Sequence, residues 1–321
     1  MAVYTHIEDD ELATLLARYD IGELLSFAGI AEGVENSNYL VRTTTAHYIL
    51  TLYEKRVDEA DLPFFIGLME HLSAKGLQCP VPIQDKTGAI LQTCAGRTAA
   101  MVSFLDGTSH RFPNREKCAA VGSAMAQFHL KSDDFTIMRH NALGPESWAP
   151  LLASITGDIP DLPQDIRQNA ASQLTDILAT WPHALPRGFI HADLFPNNAL
   201  FVKDKLTGII DFYFGCHDIL AYDLAVLLNS WCFDADSSFN VTKSSTILSA
   251  YQEQRLLSDA EKQALPLLCR GAAMRFFLTR LYDWINTPAD AVVKPLNPME
   301  YYAKLRFHDT APGPEAYGLW S

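Results

Sequence analysis

His191-Ala192-Asp193-Leu194-Phe195-Pro196-Asn197-Asn198 and, a little further on, Ile209-Ile210-Asp211-Phe212 decide how this chain is read. The stretch pairs an Asp with an Asn five positions later and sets a second Asp at the end of an apolar run. Phosphoryl transfer requires such parts. One carboxylate orients an acceptor hydroxyl and takes its proton, while a carboxamide and a second carboxylate hold the magnesium that neutralises a triphosphate. His191, Asp193 and Asn198 fill the fixed positions of H-x-D-x-x-x-x-N, and Asp211 stands where a D-F-G element has its metal-binding Asp, with Tyr213 in place of the Gly.

The local pattern explains how these side chains converge. Gly188-Phe189-Ile190 leads into the loop, and Ala199-Leu200-Phe201-Val202 leaves it as a short apolar strand. Lys203-Asp204-Lys205 makes a polar turn, and Leu206 to Ile210 returns as a second strand. Such a hairpin brings Asn198 and Asp211 to the same end of two neighbouring strands. Two oxygen donors there suit a hard cation that keeps waters and phosphate oxygens as its other ligands. The bland alternative is a polar loop with Asp193 capping a helix. A bare H-x-D match arises often by chance, the full pattern with its hairpin and Asp211 far less so.

Length and charge narrow the classes. With 321 residues, 48% of them hydrophobic, the chain can bury a large core and divide into two lobes. A formal net charge of −13 argues against nucleic acid and anionic membrane surfaces as partners. Glu8 to Glu11 is acidic where a secretory leader would be basic, and no apolar run is long enough to span a bilayer, so a cytoplasmic location is expected. The six cysteines, at 79, 94, 118, 216, 232 and 269, lack any C-x-x-C pair and are expected as free thiols serving as small core hydrophobes.

In chain order, a short helix carrying Leu12, Leu15 and Leu16, capped by Asp9 or Asp10, precedes a strand over Leu24 to Gly29. Gly29 to Asn38 then joins that strand to two more, Tyr39 to Arg42 and Tyr48 to Tyr53. Strand, small polar loop, strand is the layout of a flap that covers nucleotide phosphates with backbone N–H groups, and equally of a plain hairpin. Gly33, Ser37 and Asn38 in this segment, with Thr51 on the strand that follows, are nucleotide-binding candidates. Protein kinases carry a phosphate-binding Lys on the following strand, but the aligned position here is Thr51. Lys55 and Arg56 could reach the phosphates or could be solvated surface charges. A helix from about Glu59 to Lys75 presents Glu70, whose pairing role is doubtful without that Lys. Gln78 to Pro82 is an extended linker. Strands near Ala89–Thr93 and Thr98–Phe104 follow, and a turn at Ser103 to Gly107 marks the hinge, where backbone groups of Ser103 and Leu105 could hold an adenine edge. Beyond it the pattern turns helical, with Asn114 capping a helix through Cys118, Val121, Met125 and Phe128, and another over Pro163 to Thr180.

On the loop, the Ile210-Asp211-Phe212 element and the run Asp218 to Leu224, the chain resembles the aminoglycoside phosphotransferase and choline kinase family of protein-kinase-like small-molecule kinases. A narrower likeness, to bacterial members acting on L-homoserine, rests on Glu32 to Val41, Tyr48 to Glu54, Leu62 to Phe65, Arg275 to Asp283 and Pro298 to Tyr301. Thr51 looks normal for that subgroup. The resemblance implies a two-lobed α+β fold, with a small β-rich nucleotide-binding lobe over 1–104 and a larger, mainly helical lobe over 105–321. It also implies ATP and Mg2+ as cofactors and transfer of the γ-phosphate to the side-chain hydroxyl of L-homoserine. Asp193 would be the catalytic base, with Asn198 and Asp211 on the metal. Choline, a methylthiosugar or an aminoglycoside remain alternative acceptors, and a non-catalytic nucleotide sensor is a further one.

Homoserine carries an ammonium and a carboxylate, so its site needs a cation and an acid close together. Arg275, Arg280 and Asp283 on a helix near Gly271 to Ile285 are the candidates, the two Arg lying on different stripes; an amphipathic helix bridging to its neighbours fits them equally. Asp218 is expected to cap a helix over Ile219 to Trp231, Asp223 to brace the catalytic loop, and His191 to serve structure rather than proton transfer.

Overall fold

The computed structural model describes residues 4–30, 36–54, 57–156, 162–288 and 294–319. Alternation builds its main sheet. β1 (Leu24–Gly29) pairs with β2 (Ser37–Thr43), β2 with β3 (His47–Leu52), β3 with β5 (Arg97–Ser103) and β5 with β4 (Leu91–Cys94), all antiparallel. Every second residue of β2 (Ser37, Tyr39, Val41 and Thr43) points inward, whereas β3 and β5 carry unbroken buried runs, Leu50 to Leu52 and Ala99 to Val102, as strands covered on both faces do. The helix α1 (Asp9–Leu16) covers the inward face of β2, and Leu12, Leu15 and Leu16 join Tyr39, Val41, Leu50, Leu52 and Met101 in one core. Each such leucine contributes about 1.5–3 kcal/mol on burial. The cap of α1 differs from expectation. The helix starts after Glu8, whose N–H donates to the Glu11 carboxylate at 3.3 Å, so Asp9 and Asp10 are first-turn residues favoured by the helix dipole.

A short 3-10 turn, Glu59–Asp61, occupies the start of the expected helix, capped by Asp58 accepting from the Ala60 N–H at 2.9 Å; α2 proper runs Leu62–Ala74. The linker after it is extended: Val81 donates to Ser103 Oγ and accepts from the Ser103 N–H, each at 2.9 Å. These elements form one compact unit, Met1–Gly107, which also takes in Thr207–Tyr213, a return segment from deep inside the region expected as the second lobe.

The other unit, Thr108–Leu206 with Phe214–Ser321, is mainly helical. It holds α3 (Arg115–Lys131), α4 (Pro145–Ser154), α5 (Ile166–Thr180), α6 (Leu220–Trp231), α7 (Val241–Gln252), α8 (Asp259–Asn286) and α9 (Pro298–Thr310). Asn114 caps α3 as expected, accepting from the Lys117 N–H at 3.0 Å. Nearly every residue of α6 is buried, which makes it the central helix. Two small sheets accompany the helices: β6 (Arg187–Ile190) with β9 (Cys216–Ile219), and β7 (Ala199–Val202) with β8 (Lys205–Ile209), the latter being the expected hairpin. Asp218 lies in β9 and does not cap α6, whose cap residue is Ile219. Its carboxylate accepts instead from Asn141 at 2.7 Å and pairs with Arg187 at 2.9 Å. All six cysteines are buried and free. The fold is α+β: an antiparallel five-stranded sheet in the N-terminal part and a mostly helical C-terminal part.

Candidate active site

β6 delivers the chain to His191, and the backbone then turns through Ala192 at φ 60°. A non-glycine residue in the left-handed region costs roughly 1–2 kcal/mol, so something must hold it. Asp223, in the first turn of α6, accepts the His191 N–H at its Oδ2 and the Ala192 N–H at its Oδ1, both at 2.8 Å. Arg275 of α8 donates to the Ala192 carbonyl from the other side. Behind Asp223, His129 Nε2 lies 3.0 Å from Oδ2, and His129 Nδ1 meets the Tyr251 hydroxyl at 2.7 Å. Burial pushes the Asp223 carboxyl up, yet the hydrogen bond and charge of His129, with the loop N–H groups, hold it below the ordinary carboxylate value. Asp223 is therefore the brace that the sequence suggested.

Within the loop the side chains hold one another. The Asp193 N–H donates to His191 Nδ1 at 3.3 Å, so that nitrogen is an acceptor and His191 serves the loop's geometry. Asp193 itself is half-buried. Asn198 Nδ2 donates to the Asp193 carbonyl at 2.8 Å and to its Oδ2 at 3.2 Å. That fixes the amide: the Oδ1 of Asn198 faces away from Asp193 and accepts from Asn197 Nδ2 at 3.2 Å. Trp231 Nε1 donates to the Leu194 carbonyl at 2.9 Å, tying the loop to the end of α6.

Asp211 belongs to the first unit, at φ 67° and just before a 3-10 turn over Phe212–Phe214. Tyr213, in the place of the D-F-G glycine, packs edge-on against Tyr53 (5.6 Å) and Phe65 (5.5 Å). Burial, with the nearby Asp211 charge adding to it, pushes the Tyr213 hydroxyl up to about 12. The left-handed turn thus falls on the aspartate, and a large ring is accommodated two residues later.

Of the nucleotide candidates, Gly33 lies outside the described residues, as do Lys55 and Arg56. Asn38 and Thr51 face each other across β2 and β3, Thr51 Oγ1 donating to Asn38 Oδ1 at 2.7 Å. The Ser37 hydroxyl is fully buried, donates to Glu54 at 2.7 Å and accepts from the Tyr4 and Thr5 N–H groups, so it anchors the N-terminal segment. Ser103 is bound to Val81, and Leu105 packs where a Cβ on Gly208 would stand. Among the acceptor candidates, Arg275 is buried and engaged with the loop, its guanidinium 4.4 Å from the Phe276 ring centroid. Arg280 pairs with Glu300 of α9 at 2.7 Å, and Asp283 is half-buried further along α8. Glu300, Tyr301 and Lys304, not singled out as site residues from the sequence, lie beside Arg280; a helical spacing of 301, 304, 305 and 308 was the available signal. A hollow of about 520 Å³, lined by His140, His183, Arg187, His217 and Asp218 among others, lies at the other end of β6 from the His191–Asn198 loop.

A family model described as the phosphotransferase enzyme family matches residues 26–257. The chain is 56% identical over 319 residues to a homoserine kinase of Xanthobacter autotrophicus, covering 99% of each, and 55% identical to one of Afipia carboxidovorans, covering 99% of this chain and 98% of that one. Among solved structures it is similar in fold to an amicoumacin kinase in complex with AMP-PNP and Ca2+, at TM-score 0.69 and 16% identity, covering 94% of this chain and 92% of that one.

Proposed function

The chain belongs to the phosphotransferase enzyme family, and on that premise we propose that it transfers the γ-phosphate of ATP to the side-chain hydroxyl of L-homoserine, in the cytoplasm, as a step towards threonine. The full-length likeness to curated homoserine kinases, at 56% and 55% identity, carries this reading. The braced loop around Asp193 supports it independently as a site for phosphoryl transfer.

In the proposed mechanism Asp193 orients the acceptor hydroxyl and receives its proton as the O–P bond forms and ADP leaves. Asn198 anchors that carboxylate through Nδ2, and its Oδ1, which accepts from Asn197, has a second lone pair for a cation. A carboxamide oxygen and the Asp211 carboxylate are the hard donors that magnesium favours, so these residues fit the ion. When bound, Mg2+ neutralises charge on the triphosphate. Asn38, Thr51 and the backbone of Ser103 and Leu105 stand as nucleotide contacts, with Gly33 and Ser37 in the flap region. Asp223 and Arg275 keep the loop in its reactive shape, so most of the rate gain is positioning and charge stabilisation.

The test is ADP release by the purified chain with ATP and Mg2+, offered L-homoserine, choline, a methylthiosugar and an aminoglycoside in turn. Turnover confined to homoserine is expected. Turnover of another acceptor alone replaces the substrate but keeps the chemistry, and metal-dependent ADP release with none of them removes both.

A further inference from the structure

Three charged residues meet at the junction of α8 and α9. Arg280 Nη1 lies 2.7 Å from Glu300 Oε2, and Lys304 Nζ lies 2.7 Å from Glu300 Oε1. The two cations are nearly buried, their side chains 11% and 6% exposed, while the carboxylate they share is 49% exposed. The cluster therefore carries an excess positive charge in a partly desolvated place, next to an acid open to solvent. Burial raises the Glu300 carboxyl, but Lys304 and Arg280 more than offset this and keep it below its usual value, so it is ionised near neutral pH.

Tyr301 links this cluster to the catalytic loop. Its buried ring has the Arg280 guanidinium 4.4 Å and the Lys304 ammonium 4.2 Å from the centroid. Phe276 stands 5.0 Å away on the same ring, and Phe195, two residues after Asp193, stands 6.5 Å away. The Tyr301 hydroxyl, raised far above its ordinary value by burial, also feels the charges of Arg280, Glu300 and Asp193. It is buried without a hydrogen-bond partner among the described residues. Burying a hydroxyl unsatisfied costs about as much as a lost hydrogen bond, and a bound polar ligand would relieve it.

We propose that Arg280, Glu300 and the Tyr301 hydroxyl read the two charges of an α-amino-acid acceptor. Arg280 takes its carboxylate, Glu300 takes its ammonium, and Tyr301 bonds the polar end nearest Asp193. The proposal rests on the acceptor being an amino acid with a side-chain hydroxyl. Arg280 has the planar fork for a carboxylate and spends one nitrogen on Glu300. The alternative is a staple that only holds α8 to α9.

The experiment separates the charges. For the purified chain with ATP and Mg2+, the KM for L-homoserine is measured with the inhibition constants of 4-hydroxybutanoate, which lacks the ammonium, and 3-aminopropan-1-ol, which lacks the carboxylate. Arg280→Ala is expected to raise the homoserine KM and the 4-hydroxybutanoate constant by roughly 10- to 100-fold, the size of a charged hydrogen bond. The 3-aminopropan-1-ol constant and the KM for ATP should hold. Glu300→Gln should give the converse pattern. Arg280→Lys, which keeps the charge without the fork, should fall between. Equal losses for both fragments, or a change in melting temperature with none in either constant, leave a staple and overturn the proposal while homoserine turnover stands. A wild-type chain inactive on homoserine removes the assigned acceptor, and the proposal with it.

Discussion

Ala192 at φ 60° is held by a carboxylate on one side and a guanidinium on the other, and the next residue carries the proposed reaction. Asp193→Asn keeps the shape of that side chain and removes its basicity. It is expected to lower kcat by about 10²–10⁴-fold with the KM for ATP little changed, and a near-normal rate would end the proposed role. Asp223→Asn tests the brace. An amide offers one acceptor oxygen where two buried N–H groups need one each, so one donor loses its partner at a cost of about 1–3 kcal/mol. Reduced kcat and a lower melting temperature, with ATP binding kept, are the expected readings from steady-state kinetics and calorimetry. The residues proposed to carry the chemistry stand out in the sequence because their spacing is local. The partners of Asp223 are not legible, since His129 lies 94 residues away in sequence, and Asp218 followed by an apolar run reads like a helix cap although it lies within a strand.

Elements with clean periodicity came through and those with interrupted periodicity did not. The buried side of α9 is Tyr301, Lys304, Leu305 and His308, a helical stripe in which Lys and His stand where aliphatics would have revealed it. Pro266 lies inside α8, where a proline disfavours helix, and the expected helix near Gly271 covers only part of the 28-residue one. The contact between α3 and α7 has a sequence trace that only packing explains. A Cβ on Gly122 would stand 2.4 Å from the Ile247 carbonyl oxygen, a backbone atom that cannot swing away. At an open helix position Gly→Ala gains about 1 kcal/mol. Here overpacking, typically about 1–3 kcal/mol, should outweigh that gain, so Gly122→Ala is expected to melt earlier than the parent. A higher melting temperature would show that α7 yields freely.

Two compact units with a segment, Thr207–Tyr213, returning to the first are an arrangement that motif spacing hints at and composition cannot reveal. Stability of the helical unit carries a titration that the sequence also hides. His308 of α9 is buried between Asn229 of α6 and Tyr317 of the C-terminal turn. Asn229 Nδ2 already donates to the Ala225 and Cys269 carbonyls, so its Oδ1 accepts from His308 Nε2–H, and Nδ1 accepts from the Tyr317 hydroxyl at 2.8 Å. The neutral imidazole is thus fully bonded. Burial first, and the nearby Lys304 charge second, lower its pKa from 6.5 to about 3. Between those values the unfolded chain takes up a proton that the folded chain refuses, so stability is complete above about pH 6.5 and declines as pH falls towards 3. At pH 5 the loss is about 2 kcal/mol. Asp223, Asp204 and Asp234, whose carboxyls sit below their ordinary value, add their own losses only near and below that value, around pH 4. Denaturant melts at pH 7 and pH 5 isolate the histidine: His308→Gln should flatten the difference between the two, whatever it does to the absolute midpoint. Parallel parent and variant differences would mean that another group carries the acid sensitivity, with His217, also lowered by burial, the next to replace.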